Sequence, residues 1–222
     1  ERQFKFNKES LPSFSKVTKS VANNYPFWIV FSSILILGST SIMFNKNLIY
    51  YVKYALDMHD SQGLILGVLS ATAFLSIPFW SFLALKIGKK NAWLGSMTIL
   101  FSGLIIFYLY PIKGISELLI ILGFIGIGNG ATGVLFWSML PDTIEYGEWK
   151  TGIRTESSLY GFMTFAQKGA IAIAALSLGW ILTIIEFTPN TIQSIETIEN
   201  LKFIMAWIPI AGIFISFIFV CF

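Results

Sequence analysis

The chain has 222 residues, 55% of them hydrophobic and only 12% charged, with a formal net charge of +3. Soluble domains carry about a quarter charged residues, so this is the composition of a membrane protein. So small a net charge excludes a nucleic-acid partner, and one cysteine, Cys221, with no run of metal-ligand spacings excludes an internal disulfide and a metal centre.

Residues 1–24 are polar and basic and read as a cytoplasmic linker with room for an amphipathic stretch. The chain opens on Glu1 rather than Met, so residues 25–222 are expected to be one domain of a longer protein. A hydrocarbon core of about 30 Å requires about 20 apolar residues per helix. Six segments qualify, at about 26–51, 63–85, 91–110, 118–140, 157–185 and 201–222. The fold class is therefore all-α: a polytopic membrane protein whose six transmembrane helices divide as three plus three, the inverted repeat of many carriers.

The first span is interrupted by Asn45-Lys46-Asn47. Either the helix unwinds there to line a cavity, or it ends and the chain emerges early. The second and third spans are joined by a basic turn, Lys86 to Lys90, in which Gly88 can stop a helix. The fourth span contains Gly128-Asn129-Gly130-Ala131-Thr132-Gly133, which matches GxGxxG. A dinucleotide site needs a strand before that motif and a βαβ frame around it. Neither is present, so these glycines read as a thin face for close helix packing, with Asn129 available to hydrogen-bond across helices.

Pro141 to Glu156 is expected to be a charged loop. Its acids and bases alternate (Asp142, Glu145, Glu148, Lys150, Arg154, Glu156), which suits a salt-bridge network gating the mouth of the bundle. In the fifth span Tyr160, Thr164 and Lys168 recur every four residues and share one helix face, bordered by Gln167. Lys168 is the one full charge between Ser157 and Ile185. An ammonium at that depth is costly and marks a polar interior. His59, between Asp57 and Asp60, reads as a solvated loop histidine.

The loops alternate between two sides. One side holds Arg2, Lys5, Lys8, Lys16, Lys19, Lys86, Lys89, Lys90, Lys150 and Arg154, and the other only Lys53, Lys113 and Lys202. The positive-inside rule then puts both termini in the cytoplasm, as a multi-pass protein of the cell (inner) membrane.

The run Asp142, Glu145-Tyr146-Gly147-Glu148, Lys150, Arg154 and Glu156, with Lys168 twelve residues on, carries a resemblance. It resembles the glycoside–pentoside–hexuronide:cation symporters, the melibiose-permease-like branch of the major facilitator superfamily, and the whole chain resembles their C-terminal six-helix half. The resemblance implies uptake of a sugar, glycoside or uronide coupled to Na⁺, H⁺ or Li⁺, with Lys168 facing the central cavity and the charged stretch closing the cytoplasmic side. It implies no cofactor, and a coupling cation held mainly by acids of the N-terminal half. No Asp or Glu lies deep in these six spans. Where the family places an aromatic on the fourth span this chain has Gly133, and Trp137, one turn on, stands in its place.

The expected partners are the bilayer, the N-terminal half and a sugar or glycoside. Cavity candidates are Lys168, Thr164, Tyr160, Gln167, Trp137, Asn45 and Lys46. No nucleophile elbow or phosphate loop sits in a suitable frame, so an enzyme is not expected. Two other readings stay open. One is a carrier of the same superfamily for a lipid or drug, and the other is a non-transporting membrane partner protein.

Overall fold

In a computed structural model that describes residues 13–221, the chain forms seven α-helices and, among the described residues, no strand. Arg2, Lys5 and Lys8 of the expected linker lie outside the described residues, as does the side chain of His59. A short amphipathic helix, α1 (Phe14–Ala22), precedes six helices long and apolar enough to cross a membrane. These are α2 (Tyr25–Tyr54), α3 (Gln62–Ile87), α4 (Lys89–Leu109), α5 (Ile115–Thr151), α6 (Glu156–Ile184) and α7 (Ile195–Cys221). We call the side bearing α1 and the α3–α4 turn the near side, and the other the far side.

Local chemistry sets the helix ends. Asn24 caps α2 by accepting a hydrogen bond from the Phe27 N–H at 3.2 Å, and Pro26 follows in the first turn, where its missing N–H costs nothing. Gly88 takes φ +86°, which lets α4 start directly after α3. Gly152, at φ +70°, is the left-handed cap that ends α5.

Two sequence expectations are corrected here. The stretch from Asn45 to Asn47 neither unwinds nor ends the helix; α2 runs through it to Tyr54, with Asn47 buried in the bundle and Lys46 exposed. The charged stretch is not a loop either. α5 continues through Pro141 to Thr151, so Asp142, Glu145, Glu148 and Lys150 are helical, and only Gly152 to Thr155 links it to α6. A proline inside a helix loosens the carbonyls one turn back. Here Lys89 Nζ donates to the Ser138 carbonyl at 2.8 Å, next to the Trp137 carbonyl that Pro141 leaves without its N–H.

The packing is interleaved. α3 packs chiefly on α5, α6 on α2, α4 on α5, α7 on α2, and α4 meets α7. Exchanging the triplets α2–α4 and α5–α7 maps α3–α5 onto α6–α2 and α4–α5 onto α7–α2 and leaves α4–α7 unchanged, and the triplets enter the membrane from opposite sides. This is the expected three-plus-three inverted arrangement, present in packing although no residue-level repeat is visible. α2 and α5 form the centre, with half of the most apolar stretch of each buried, against 17% for α3 and 22% for α6.

Hydrocarbon gives apolar side chains little reason to leave lipid, so close backbone approach and hydrogen bonds hold such helices together. α5 supplies that approach. A Cβ at Gly126 would strike the Thr72 hydroxyl and come within 2.7 Å of the Leu69 carbonyl oxygen, and one at Gly130 would strike Ser76 Oγ and the Ala73 carbonyl. On another side of α5, a Cβ at Gly128 would come within 2.9 Å of the Leu100 N. Beside this seam the Ile127 carbonyl accepts from Trp80 Nε1 at 2.7 Å and from Ser76 Oγ at 3.2 Å. The GxGxxG match is thus a packing device, and Gly133, its last member, faces open space.

On the near side the chain before α2 is clamped to α5. Asn24 Nδ2 donates to the Thr143 carbonyl at 2.8 Å, against a surface opened by Gly147. Ser20 and Thr151 share a hydrogen bond at 2.7 Å, and Lys150 Nζ donates to the Asn23 carbonyl at 3.0 Å.

Gly130→Ala is expected to lower stability by about 1–3 kcal/mol, because overpacking against α3 backbone outweighs the gain of about 1 kcal/mol in helix propensity. Gly133→Ala, facing open space, is the control. Thermal unfolding of the full chain in detergent checks both, and equal behaviour of the two variants would contradict the seam.

Candidate substrate cavity

α2 and α5 cross at the centre of the bundle, and between them opens a cavity of ≈ 700 Å³ that all six long helices line. Its wall is mostly apolar, with Ile34, Leu37 and Phe44 from α2, Leu100 and Leu104 from α4, and Ile125 and Phe136 from α5. Set into it are Thr40, Ser41 and Asn45 of α2, Ser70 of α3, Asn129, Thr132 and Trp137 of α5, and Gln167 of α6. No lining residue carries a charge. A mainly apolar pocket with a few convergent polar groups is the usual form of a small-molecule site.

The sequence candidates divide on this geometry. Asn45, Trp137 and Gln167 line the cavity, whereas Lys46, Tyr160, Thr164 and Lys168 are exposed and lie outside its lining. Tyr160 nonetheless stacks on Trp137 at 6.3 Å between ring centroids and 18° between planes, which ties α6 to the cavity wall. Thr164 donates its hydroxyl to the Tyr160 carbonyl at 3.0 Å and is satisfied within its own helix. Lys168 sits one turn before the cavity residue Ile171. It has no acidic partner among the described residues. Counted from Glu156 at 1.5 Å per residue, its Cα is about 18 Å along α6, far from either end of the helix.

The six charged residues at the α5–α6 junction do not form one network. Arg154 is pincered by Glu148 at 2.8 Å and Glu156 at 2.9 Å, which ties the end of α5 to the start of α6. Its hydrogen bonds to Glu148 and then Glu156 push the guanidinium above its already high pKa, so it stays charged at any physiological pH. Asp142 pairs instead with Lys89 of the α3–α4 turn at 2.7 Å. Lys150 turns to the Asn23 carbonyl and lies over the Tyr146 ring at 5.6 Å. Glu145 is exposed and makes no ion pair among the described residues. From sequence, a topological role sufficed for the basic turn that holds Lys89, with a conformational role left open. The signal available was Pro141-Asp142, a proline-loosened turn followed by an acid, on the same side as a basic turn.

Six apolar helices around a neutral, partly polar cavity define a multi-pass membrane protein. Residues 1–222 match the family described as MFS/sugar transport protein, and the chain belongs to it. It is 34% identical over 204 residues to a Salmonella typhimurium protein provisionally named a sulfoquinovose importer, covering 86% of this chain and 40% of that one. It is 30% identical over 214 residues to an isoprimeverose transporter of Lactiplantibacillus pentosus, covering 95% of this chain and 44% of that one. A glucuronide carrier protein homolog of Escherichia coli is 25% identical over 214 residues, covering 95% and 46%. The chain spans less than half the length of each of these relatives.

Ion pairs between half-exposed groups contribute little to stability. Arg154→Gln is therefore expected to leave thermal stability near that of the wild type. Lys89→Met removes the charged donor shared by the part-buried Ser138 carbonyl and Asp142 and is expected to cost about 1–3 kcal/mol. Unfolding of both variants in detergent reads this out, and the opposite ranking would contradict it.

Proposed function

We propose that this chain is the C-terminal half of a secondary carrier that moves a sugar, glycoside or uronide across the cell membrane, coupled to Na⁺ or H⁺, by alternating access. The carrying observation is Lys168. An ammonium exposed on a membrane helix far from either end, without an acidic partner in its own bundle, requires a wet space or a counter-charge supplied from outside the bundle. A second six-helix bundle packed on the exposed faces of α3 and α6 would provide that space, with the cavity between the halves.

The hydroxyls and amides of the lining support a sugar over a lipid as cargo. The names of the relatives, among them a glucuronide carrier protein homolog and an isoprimeverose transporter, support the same class. The coupling cation would be held chiefly by the other half, since α2 to α7 place no acid at mid-depth. The basic turn at Lys86 to Lys90, with Lys150 and Arg154 on the same side, supports a cytoplasmic near side, and so cytoplasmic termini, in the inner membrane. The Arg154 pincer, with Lys89 and Asp142, would close that side in one conformation and loosen in the other.

In the full-length protein, Lys168→Ala is expected to abolish concentrative uptake of labelled sugar, driven by a Na⁺ or pH gradient, while surface expression stays at the wild-type level. Normal uptake by that variant would sink the assignment of Lys168 to the transport route. A wild-type protein that takes up no neutral glycoside, uronide or sulfonated sugar would sink the sugar reading itself.

A further inference from the structure

Three primary amides reach the cavity from three different helices: Asn45 of α2, Asn129 of α5 and Gln167 of α6. None of them makes a side-chain hydrogen bond among the described residues, and Asn45 Oδ1 is fully shielded from solvent without a donor. Elsewhere in the interior the pattern is mixed: Asn47 Oδ1, Ser33 Oγ, Trp93 Nε1 and Ser216 Oγ are shielded without partners away from the cavity, while others are paired within the protein. Thr40 Oγ1 donates to the Ile36 carbonyl at 3.1 Å, Thr72 Oγ1 to the Val68 carbonyl at 2.8 Å, and Trp80 Nε1 to the Ile127 carbonyl at 2.7 Å. An amide held in an apolar wall without a partner is expensive. That cost falls on Asn45; Asn129 is half-buried and Gln167 exposed, and the convergence of the three amides on one cavity suits a ligand that brings both donors and acceptors.

The chemistry of that ligand follows from the amide group. Each amide offers one acceptor oxygen and two N–H donors, and no charge. A hydroxyl is the matching group, because it donates to the oxygen and accepts from the nitrogen. Two neighbouring hydroxyls can engage one amide at both ends. A carboxylate or sulfonate would find donors here but no counter-charge, since the lining has none.

We infer that Asn45, Asn129 and Gln167 are specificity-determining residues that read the uncharged hydroxyls of the substrate, which leaves any anionic group to Lys168 or to the partner bundle. This rests on the sugar-carrier reading above. Asn129 thereby acquires a role that its place inside the glycine-rich run conceals, because the same stretch of α5 packs on α3 through Gly126 and Gly130 and turns Asn129 to the cavity.

The test uses the full-length carrier in proteoliposomes, with a sugar that the wild type transports and a set of its monodeoxy analogues. Asn45→Leu and Asn129→Leu are each expected to raise KM for the parent sugar about 10-fold or more, the scale of one buried hydrogen bond lost. At least one monodeoxy analogue should be discriminated against by the wild type, with its raised KM unchanged in the variant, since a site built for a hydroxyl discriminates only while its partner is present. The cation concentration for half-maximal rate should not move. If the Leu variants fail to insert, Asn45→Ser and Asn129→Ser remove the amides at smaller structural cost and are scored in the same way. Unchanged KM, a loss equal across all analogues, or a shift in cation dependence instead of sugar affinity would each overturn the assignment. A wild type that transports sugar while these variants match it removes only the amide assignment, whereas a wild type that transports no sugar removes the carrier reading with it.

Discussion

A membrane helix gains little by exchanging lipid tails for leucines, so the bundle depends on how near two backbones can come. Here that distance is set where α5 lies against α3, at Gly126 and Gly130, with no room for a β-carbon between one helix and the carbonyls of the other. The rest builds on this contact. It brings Ser76 and Trp80 onto the Ile127 carbonyl, and it orients the remaining faces of α5. One of those faces packs on α4 through Gly128, and another, carrying Asn129, Thr132 and Trp137, borders the cavity.

Around that pair the bundle separates two kinds of polarity. The cavity wall is neutral, with amides and hydroxyls in an apolar frame. At the near-side rim Lys89, Asp142, Glu148, Arg154 and Glu156 pair among themselves. Lys168 stands apart from that rim, on an exposed face of α6 next to the cavity. The division has a physical basis. A neutral wall can hold a polyol without the desolvation penalty of a buried ion, while ion pairs at a wet rim can exchange partners at small cost.

The six spans, their order and the packing role of the glycine run were all legible in the sequence, because length and hydropathy report what lipid demands. Two features were not. Charge density and Pro141 suggested a loop where α5 in fact continues, because charged residues are as compatible with a helix projecting into water as with a turn, and because Lys89, distant in sequence, satisfies the Ser138 carbonyl beside the proline. The polar run at Asn45 suggested a break in α2, yet one asparagine enters the interior while Lys46 faces out, a difference that depends on neighbouring helices and not on the local run. Likewise a repeat of four placed Tyr160, Thr164 and Lys168 on one face correctly, but only the packing of α6 on α2 shows that Gln167 and Ile171, and not that face, border the cavity.

The interleaving of the two triplets also bears on how the chain is made. α2 is made before the other five of these spans, yet its main neighbours are α6 and α7, the last two of the six. Until they arrive, its inner surface, with Asn47 and Ser33, has no lasting companion in the bilayer. By contrast, α3, α4 and α5 are consecutive and can associate as soon as α5 is threaded. Assembly of these six spans is therefore expected to proceed from the trio α3, α4 and α5 outward, with α2 among the last of them to be enclosed.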